Sequence, residues 1–281
     1  MPTFGSLFSG IGGMDLGLER AGWECRFQVE WDEWCQRVLA KHWPDVPRAG
    51  DITAVNWFEF GEPVDLIAGG FPCQPVSVAG RQLAQEDDRW LWPEFARAVR
   101  ALRPGLVLVE NVPGLVAHGL GDVLGDLSAL GYDARWDVVS AAAVGAPHIR
   151  ERIWIVAGRP ELGWSVADAY DGLVDAIDAV RAGRHESRTG RADVADTVGE
   201  RRSGPWQPHD SGHPATGGEG QATHALDGRL GGQWATEPDV GRVAHGVPAR
   251  VDRLRALGNA VVPQVVEVIG RRLLEAAWTR S

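Results

Sequence analysis

The chain has 281 residues, of which 44% are hydrophobic and 23% are charged, as in an ordinary globular protein. Its 38 acidic and 28 basic residues give a net charge of −10, which excludes a uniformly basic nucleic-acid binder but allows a local basic face. Three scattered cysteines, no visible secretion signal and no apolar run of about 18 residues predict a cytoplasmic protein without a disulfide framework, a zinc site or a membrane span.

Short apolar runs alternate with helical patterns through residues 1–158. The runs predict buried parallel strands at Thr3–Phe8, Arg26–Val29, Val64–Ala68, Leu106–Val109 and Ile153–Ala157. The helical patterns lie near Met14–Ala21, Glu33–His42, Trp92–Leu102 and Leu120–Leu130. This alternation is typical of a doubly wound α/β sheet, in which ligands bind at the carboxyl ends of the strands.

The composition changes after residue 160. Residues 161–248 contain 15 Gly and 5 Pro without a sustained apolar period, which predicts a small loop-rich lobe. We therefore expect a first domain over 1–160, this lobe over 161–248 and a C-terminal segment over 249–281.

Regular patterning returns in the C-terminal segment. It predicts a short helix to Leu257, a turn at Gly258-Asn259 and a helix from Pro263 to about Trp278. Because the apolar face of these helices needs a partner surface, we expect the segment to pack back beside the first strand, with Asn259 near Gly10.

Four groups of residues at predicted strand ends suggest chemistry. The first is the loop Phe8–Gly13, whose glycines let the backbone approach a ligand at a helix N-terminus, although a plain turn explains them equally well. After the second strand, Glu30 is placed to accept hydrogen bonds from ribose hydroxyls, and Trp31 to stack on adenine. Asp51, beside Ile52, is placed to contact an adenine amino group. Each acid is also compatible with a solvated surface charge.

The next two groups follow the third and fourth predicted strands, and the last group leads into the fifth. Cys73 lies between two prolines in a polar turn, where a thiolate nucleophile fits better than a buried structural cysteine. Glu110 comes 37 residues later, and if the two strands are neighbours it reaches the same crevice as a proton donor or an ordinary strand-end acid. Alternation places Arg150 and Arg152 on one side, suited to a phosphate or a base carbonyl oxygen, or simply to solvent.

Five motifs, taken in order, resemble those of the cytosine-C5 DNA methyltransferases of bacteria and phages. They are Phe8–Gly12, Pro72–Gln74, Glu110–Val112, Arg150–Arg152 and Gly258–Pro263, and the resemblance covers about 1–158 and 250–281. It implies a Rossmann-like sheet that binds S-adenosylmethionine, a double-stranded DNA partner, a monomer and no metal. His148 departs from the family pattern, which usually has Gln at this position.

The resemblance also implies residue roles. Cys73 attacks C6 of a flipped cytosine, Glu110 binds N3, and Arg152 and Arg150 lie near O2. Cofactor contacts are implied for Phe8, Gly10, Ile11, Gly12, Glu30, Trp31, Asp51, Ile52, Pro72, Asn259 and Val261. DNA contacts are implied for Gln74, Ser77 and Arg89, the last in a stretch (78–91) that resembles the loop closing over the flipped base. In the predicted lobe, Arg201 and Arg202 are our candidates for phosphate contacts.

Three other functions fit less of the sequence. A transfer-RNA cytosine methyltransferase shares the catalytic motifs, but its Cys-Phe-Thr segment is absent. A non-catalytic DNA-binding homologue has no need of both Cys73 and Glu110. A nicotinamide oxidoreductase requires a third fingerprint glycine, which Gly13 and Met14 do not supply.

Overall fold

A computed structural model describes residues 1–72, 90–162 and 250–278 of the chain. In these residues, seven strands form one sheet in the order β3-β2-β1-β4-β5-β7-β6. The strands are β1 Thr3–Leu7, β2 Glu24–Val29, β3 Arg48–Ala49, β4 Leu66–Gly69, β5 Leu106–Asn111, β6 Asp133–Ser140 and β7 Glu151–Gly158. The α/β fold predicted from the sequence is confirmed.

Helices cover both faces of the sheet. They are α1 Gly13–Ala21, α2 Glu33–His42, α3 Trp57–Phe60, α4 Trp92–Leu102, α5 Leu115–His118, α6 Leu120–Ala129, α7 Arg250–Asn259 and α8 Pro263–Trp278. Short 3-10 turns lie at Ile52–Ala54, Ala141–Val144 and Pro160–Leu162. The four helices expected between residues 1 and 158 are present, within one residue of their predicted ends.

The last strand of this region was predicted in the wrong direction. β7 pairs antiparallel with both β5 and β6, whereas Ile153–Ala157 was expected to be parallel. The reason is β6, which the apolar pattern missed because it is a half-exposed edge strand containing Asp133, Arg135 and Asp137. A short connection with no crossover α-helix then returns the chain beside β6, and such a connection produces an antiparallel pair.

Alternate residues of the central strands supply two apolar cores. Leu7, Ile67 and Val107 face one core, which α4 and α6 cover with Phe95 and Leu127. Phe4, Leu66 and Leu108 face the other, which α1 and α8 cover with residues such as Leu18 and Val266. The central strands are thus buried on both sides.

The C-terminal helix α8 packs directly against α1. A Cβ added at Gly17 would lie 2.5 Å from Cβ of Val266 and 2.6 Å from the carbonyl oxygen of Pro263, so only glycine permits this approach. At the other end of the contact, Trp23 Nε1 donates a hydrogen bond of 3.0 Å to the Gly270 carbonyl. Residues 263–278 therefore belong physically to the face of the sheet that α1 covers.

The turn expected at Gly258-Asn259 is wrong by about two residues. α7 continues to Asn259, and the Ala260 amide donates to the Ala256 carbonyl at 2.9 Å, which completes the last helical turn. The bend comes at 260–262, directly before Pro263, a residue favoured at the first position of a helix. All but the first two residues of the predicted lobe, 161–248, lie outside the described residues, so the domain division stays a prediction.

Within the described ranges, no helix is both long and apolar enough to cross a membrane.

A buried carboxyl group joins α1 to the first two strands. Asp15 is fully buried, and it accepts hydrogen bonds from Gln28 Nε2 at 2.8 Å and from Ser6 Oγ at 3.0 Å. Burial is the largest influence on this group and raises the pKa of Asp15 to about 6, against the opposing effect of these hydrogen bonds. The group therefore holds a proton more tightly in the folded than in the unfolded chain.

We expect Asp15→Asn to remove a pH dependence of stability. Because the folded pKa is raised, the contribution of Asp15 is fully present below its unfolded pKa near 3.8 and is lost as the pH rises through about 6. The neutral amide accepts from Gln28 through its oxygen, donates to Ser6 Oγ through its nitrogen and carries no buried charge, so the variant should gain on the order of 3 kcal/mol over the wild type between pH 4 and pH 8. Urea unfolding at both pH values measures this difference. Asp133→Asn, at an exposed acid of β6, is the control and should show no such gain.

Candidate active site

The carboxylate of Glu110 lies at the end of β5, beside the end of β4. Both strands are apolar and parallel, and their register pairs Gly69 with Val109. A Cβ added at Gly70 would lie 2.6 Å from Glu110 Oε2, so the turn after β4 passes directly against this carboxylate. The condition on which the sequence argument depended, that the two strands are neighbours, is therefore met.

Glu110 is buried and is paired with Arg152. The residue is 8% exposed, and Arg152 Nε lies 2.9 Å from its Oε1. Burial raises the pKa of Glu110 to about 7, and the nearby guanidinium groups of Arg152 and Arg150 oppose this rise without cancelling it. Near neutral pH, Glu110 can therefore hold a proton or release it.

Asn111 ties the turn after β4 to the end of β5. Its Nδ2 donates a buried hydrogen bond of 3.1 Å to the Phe71 carbonyl, and its Oδ1 accepts one of 2.8 Å from the Val112 amide. Phe71 is two residues before Cys73 in the sequence, so this bond fixes the backbone that leads to the cysteine. No role was predicted for Asn111 itself, although its place directly after Glu110 was a usable signal.

The two arginines before and within β7 have different partners. Arg152 pairs with Glu110 and also donates from Nη1 to the Glu151 carbonyl at 2.7 Å. Arg150 instead donates from Nη2 to the carbonyls of Gly258 and Ala260, at 2.6 and 2.7 Å. The sequence placed both side chains on one side of the strand but did not predict this division.

The glycine loop after β1 has an unusual backbone. Phe8, Gly10 and Gly12 have positive φ values of 53°, 56° and 81°. A Cβ at Gly12 would lie 2.3 Å from the Trp43 ring, whereas a Cβ at Gly10 would meet no atom of the described residues within 4 Å. Gly12 is therefore required by packing, while Gly10 presents backbone that no described side chain covers, as a ligand cradle requires.

Glu30 connects this loop to the end of β2. Its Oε2 accepts from the Gly10 amide at 2.7 Å, and its Oε1 accepts from the Asp32 amide at 2.8 Å. Burial raises the pKa of Glu30 above its ordinary value, and contacts with the backbone amides of Asp32, Gly10 and Trp31 act in the opposite direction. A carboxylate has about four acceptor sites, so Glu30 keeps capacity for a further donor. The adjacent Trp31 is 74% exposed and offers a free aromatic surface.

The remaining predicted cofactor residues lie around this loop or at the next strand end. Asp51 accepts from the amide and the hydroxyl of Thr53, at 2.9 and 2.8 Å, and so caps the turn that begins at the buried Ile52. From the C-terminal segment, the Val261 carbonyl lies 3.1 Å from a Cβ added at Gly13. Asn259, two residues earlier, is exposed.

Six predicted site residues lie outside the described residues: Cys73, Gln74, Ser77, Arg89, Arg201 and Arg202. Pro72 is the last residue described before the first gap. In the part of the chain that is described, no group of three or more His, Cys, Asp or Glu side chains is arranged to hold a metal ion.

Residues 2–209 match the family described as C-5 cytosine-specific DNA methylase. The chain belongs to this family. The Type II methyltransferase M.HhaI of Haemophilus parahaemolyticus is 37% identical over 164 residues, which cover 57% of this chain and 50% of that protein. M.Eco47II of Escherichia coli is 36% identical over 190 residues, covering 63% and 45%. The chain thus spans about half the length of these relatives.

Solved structures share the fold. An E. coli prophage protein, described as a DNA modification methyltransferase, is 29% identical with a TM-score of 0.52, over 60% of this chain and 49% of that one. A DNMT2 mutant from Spodoptera frugiperda, 23% identical with a TM-score of 0.50 over 58% and 52%, shows the fold alone. The family and fold inferred from the motifs are confirmed.

Asn111→Asp should destabilise the protein through a single atom. The substitution keeps the shape and the acceptor for Val112 but turns a carboxylate oxygen towards the Phe71 carbonyl in a buried site. We expect a loss of about 1–3 kcal/mol in the free energy of unfolding, measured with urea. Asn56→Asp is the matched control, because Asn56 is an exposed helix cap and aspartate caps equally well. Equal stability of the two variants would contradict the role given to Asn111.

Proposed function

We propose that this chain transfers a methyl group from S-adenosylmethionine to C5 of cytosine in double-stranded DNA. The observation that carries the proposal is the family match over residues 2–209, which includes both Cys73 and the buried pair of Glu110 and Arg152. The relatives quoted above are named Type II methyltransferases, in agreement with a DNA substrate. The proposed setting is the cytoplasm and the proposed state a monomer.

The cradle at the ends of β1 and β2 fits an adenosyl cofactor. Gly10 leaves its backbone open towards the described residues, Glu30 keeps acceptor capacity suited to a ribose hydroxyl, and Trp31 offers a ring for stacking on adenine. Asp51 and Ile52 would line the adenine side, and Phe8, Ile11, Gly12, Pro72, Asn259 and Val261 would complete the enclosure. When bound, S-adenosylmethionine supplies an electrophilic methyl group and leaves as S-adenosylhomocysteine.

Cys73 is the proposed nucleophile. Its thiolate would form a bond to C6 of the cytosine, and the electrons of the C5–C6 double bond then make C5 nucleophilic enough to take the methyl group. Loss of the proton from C5 to solvent water re-forms the C5–C6 double bond, and the C6–sulfur bond breaks to release the Cys73 thiolate. Because the ring atoms lie inside the base stack, the cytosine must first be flipped out of the duplex.

Glu110 is the proposed partner of the cytosine ring nitrogen N3. In its protonated form it donates to N3 and stabilises the negative charge that develops as the Cys73 sulfur adds to C6. Arg152 holds the Glu110 carboxyl in place through Nε, and the rest of its guanidinium is suited to the neighbouring O2. We assign DNA contacts to Gln74, Ser77, Arg89, Arg201 and Arg202.

Cys73→Ser should abolish methyl transfer and leave S-adenosylhomocysteine binding unchanged, because the hydroxyl is far less acidic than the thiol. The sharper test uses DNA amplified with 5-fluoro-deoxycytidine triphosphate. The final elimination removes a proton from C5, and with fluorine in that position the elimination is blocked and the adduct persists. We expect the wild type to be trapped at Cys73 on this DNA, as read by mass spectrometry. Cys35→Ser, at a buried cysteine of α2, is the control and should still be trapped. Transfer to ordinary DNA without an adduct would refute the mechanism.

The rate of adduct formation should depend on the protonation of Glu110. It should rise with pH as the Cys73 thiol ionises and fall as Glu110 loses its proton, which its pKa of about 7 places near neutrality. Glu110→Gln should lower the rate by about 10²- to 10⁴-fold and remove the descending limb. Single-turnover adduct formation across pH 5.5–9 measures both effects.

Arg152→Met is the companion variant in that experiment. Because the guanidinium of Arg152 lowers the pKa of Glu110, its removal should move the descending limb to higher pH. A limb that stays in place in Arg152→Met, or that persists in Glu110→Gln, would show that another group titrates.

A further inference from the structure

The guanidinium of Arg150 is committed to the C-terminal segment. Both protons of its Nη2 serve the carbonyls of Gly258 and Ala260, at 2.6 and 2.7 Å, and these two carbonyls flank Asn259. The Nε of the same side chain is buried, and none of the described residues accepts a hydrogen bond from it. A charged side chain that gives up solvent in this way acts through the backbone that it holds.

The backbone in question is the C-terminus of α7. The last carbonyls of a helix have no partner within the helix and carry its negative partial charge, which a cation stabilises. Arg150 reaches this end from a position 108 residues earlier in the chain, because the chain approaches β7 beside it. It therefore replaces the glycine cap that commonly ends a helix.

The segment that Arg150 holds touches both halves of the cofactor cradle. On one side, the Val261 carbonyl packs against Gly13, at the end of the glycine loop. On the other side, Arg255 forms an ion pair with Asp32, whose amide donates to Glu30 at 2.8 Å. A displacement of the turn at 258–260 would therefore be felt by the loop and by Glu30.

We propose that Arg150 is a positioning residue of the cofactor site: it holds the turn at 258–260, and with it Asn259, against the glycine loop, while Arg152 alone serves the target base through Glu110. The inference rests on the proposed function for the identity of the ligand. The two arginines of one motif then serve different substrates: Arg150 serves the cofactor and Arg152 serves the target base.

Binding of S-adenosylhomocysteine to the full chain, measured by calorimetry, tests this division. Arg150→Met should weaken binding by at least ~10-fold, since two charge-assisted hydrogen bonds to the turn are lost. Arg152→Met, the matched control, should bind within about 2-fold of the wild type because its partners lie at the Glu110 side. In steady-state assays on DNA, Arg150→Met should raise KM for S-adenosylmethionine with little change in kcat, and Arg152→Met should lower kcat.

A general loss of stability is separated from positioning by two further variants. Arg150→Lys keeps the charge and a donor, so its affinity should lie between those of the wild type and Arg150→Met. The double variant with Asn259→Ala and Arg150→Met should bind S-adenosylhomocysteine no more weakly than whichever single variant binds it less well. The two losses do not add because both changes act through one turn. Should Arg150→Met fail to fold, Arg150→Lys replaces it in the same comparison.

Three results would overturn the positioning role: unchanged affinity in Arg150→Met, equal losses in the Arg150 and Arg152 variants, or full additivity with Asn259→Ala. A wild-type chain that does not bind S-adenosylhomocysteine would instead overturn the proposed function. The two failures are therefore distinguishable in one experiment.

Discussion

The direction of β7 determines where the charged groups of this protein meet. In a parallel sheet, all strands begin at one end of the sheet and finish at the other. A strand of six residues such as β5 separates these two ends by roughly 20 Å. Because β7 runs antiparallel to β5, its beginning lies beside the end of β5. Arg152 can therefore reach Glu110, and Arg150 can reach α7, only because one strand of the sheet is reversed.

This reversal also explains why a buried carboxyl group is tolerated. Glu110 has lost nearly all of its contact with water, and a lone charge there would be expensive. Arg152, at 2.9 Å, offsets part of this cost. Burial has the larger effect and raises the pKa of Glu110 to about 7, so both its protonated and its ionised forms are populated near neutral pH. A purely structural ion pair would be expected to stay ionised, whereas this arrangement keeps both protonation states accessible.

Local patterns predicted the strands that are buried on both faces and the helices that cover them with an apolar face. Apolar runs such as Leu106–Val109 and the helical spacing of Trp92–Leu102 depend on neighbours within the same element, and both are present as expected. β6 was not predicted because an edge strand needs few apolar residues. Without β6, the direction of β7 was also predicted wrongly. A parallel β7 would also have placed Arg150 and Arg152 at the opposite end of the sheet from Glu110. The expected strand direction therefore conflicted with the expected site.

The site residues divide in the same way. Glu110, Glu30 and the glycine loop were found because each directly follows a recognisable strand. Asn111 was overlooked because its role is a contact with the Phe71 carbonyl, 40 residues earlier. The partners of Arg150 were invisible for the same reason, since a hydrogen bond to a backbone carbonyl requires no particular side chain there. Such contacts leave little trace in a single sequence.

The seam between α1 and α8 has a consequence for the order of events during synthesis. Trp23 bonds to Gly270 across 247 positions, and Gly17 is shaped for Val266. As the chain leaves the ribosome, α8 is not yet present to pack against α1. The apolar side of α1 therefore stays uncovered until residues 263–278 have emerged. The glycine loop at the start of α1 thus gains its final support late. A nascent chain would remain unable to hold its cofactor firmly until translation has passed the last of these helices.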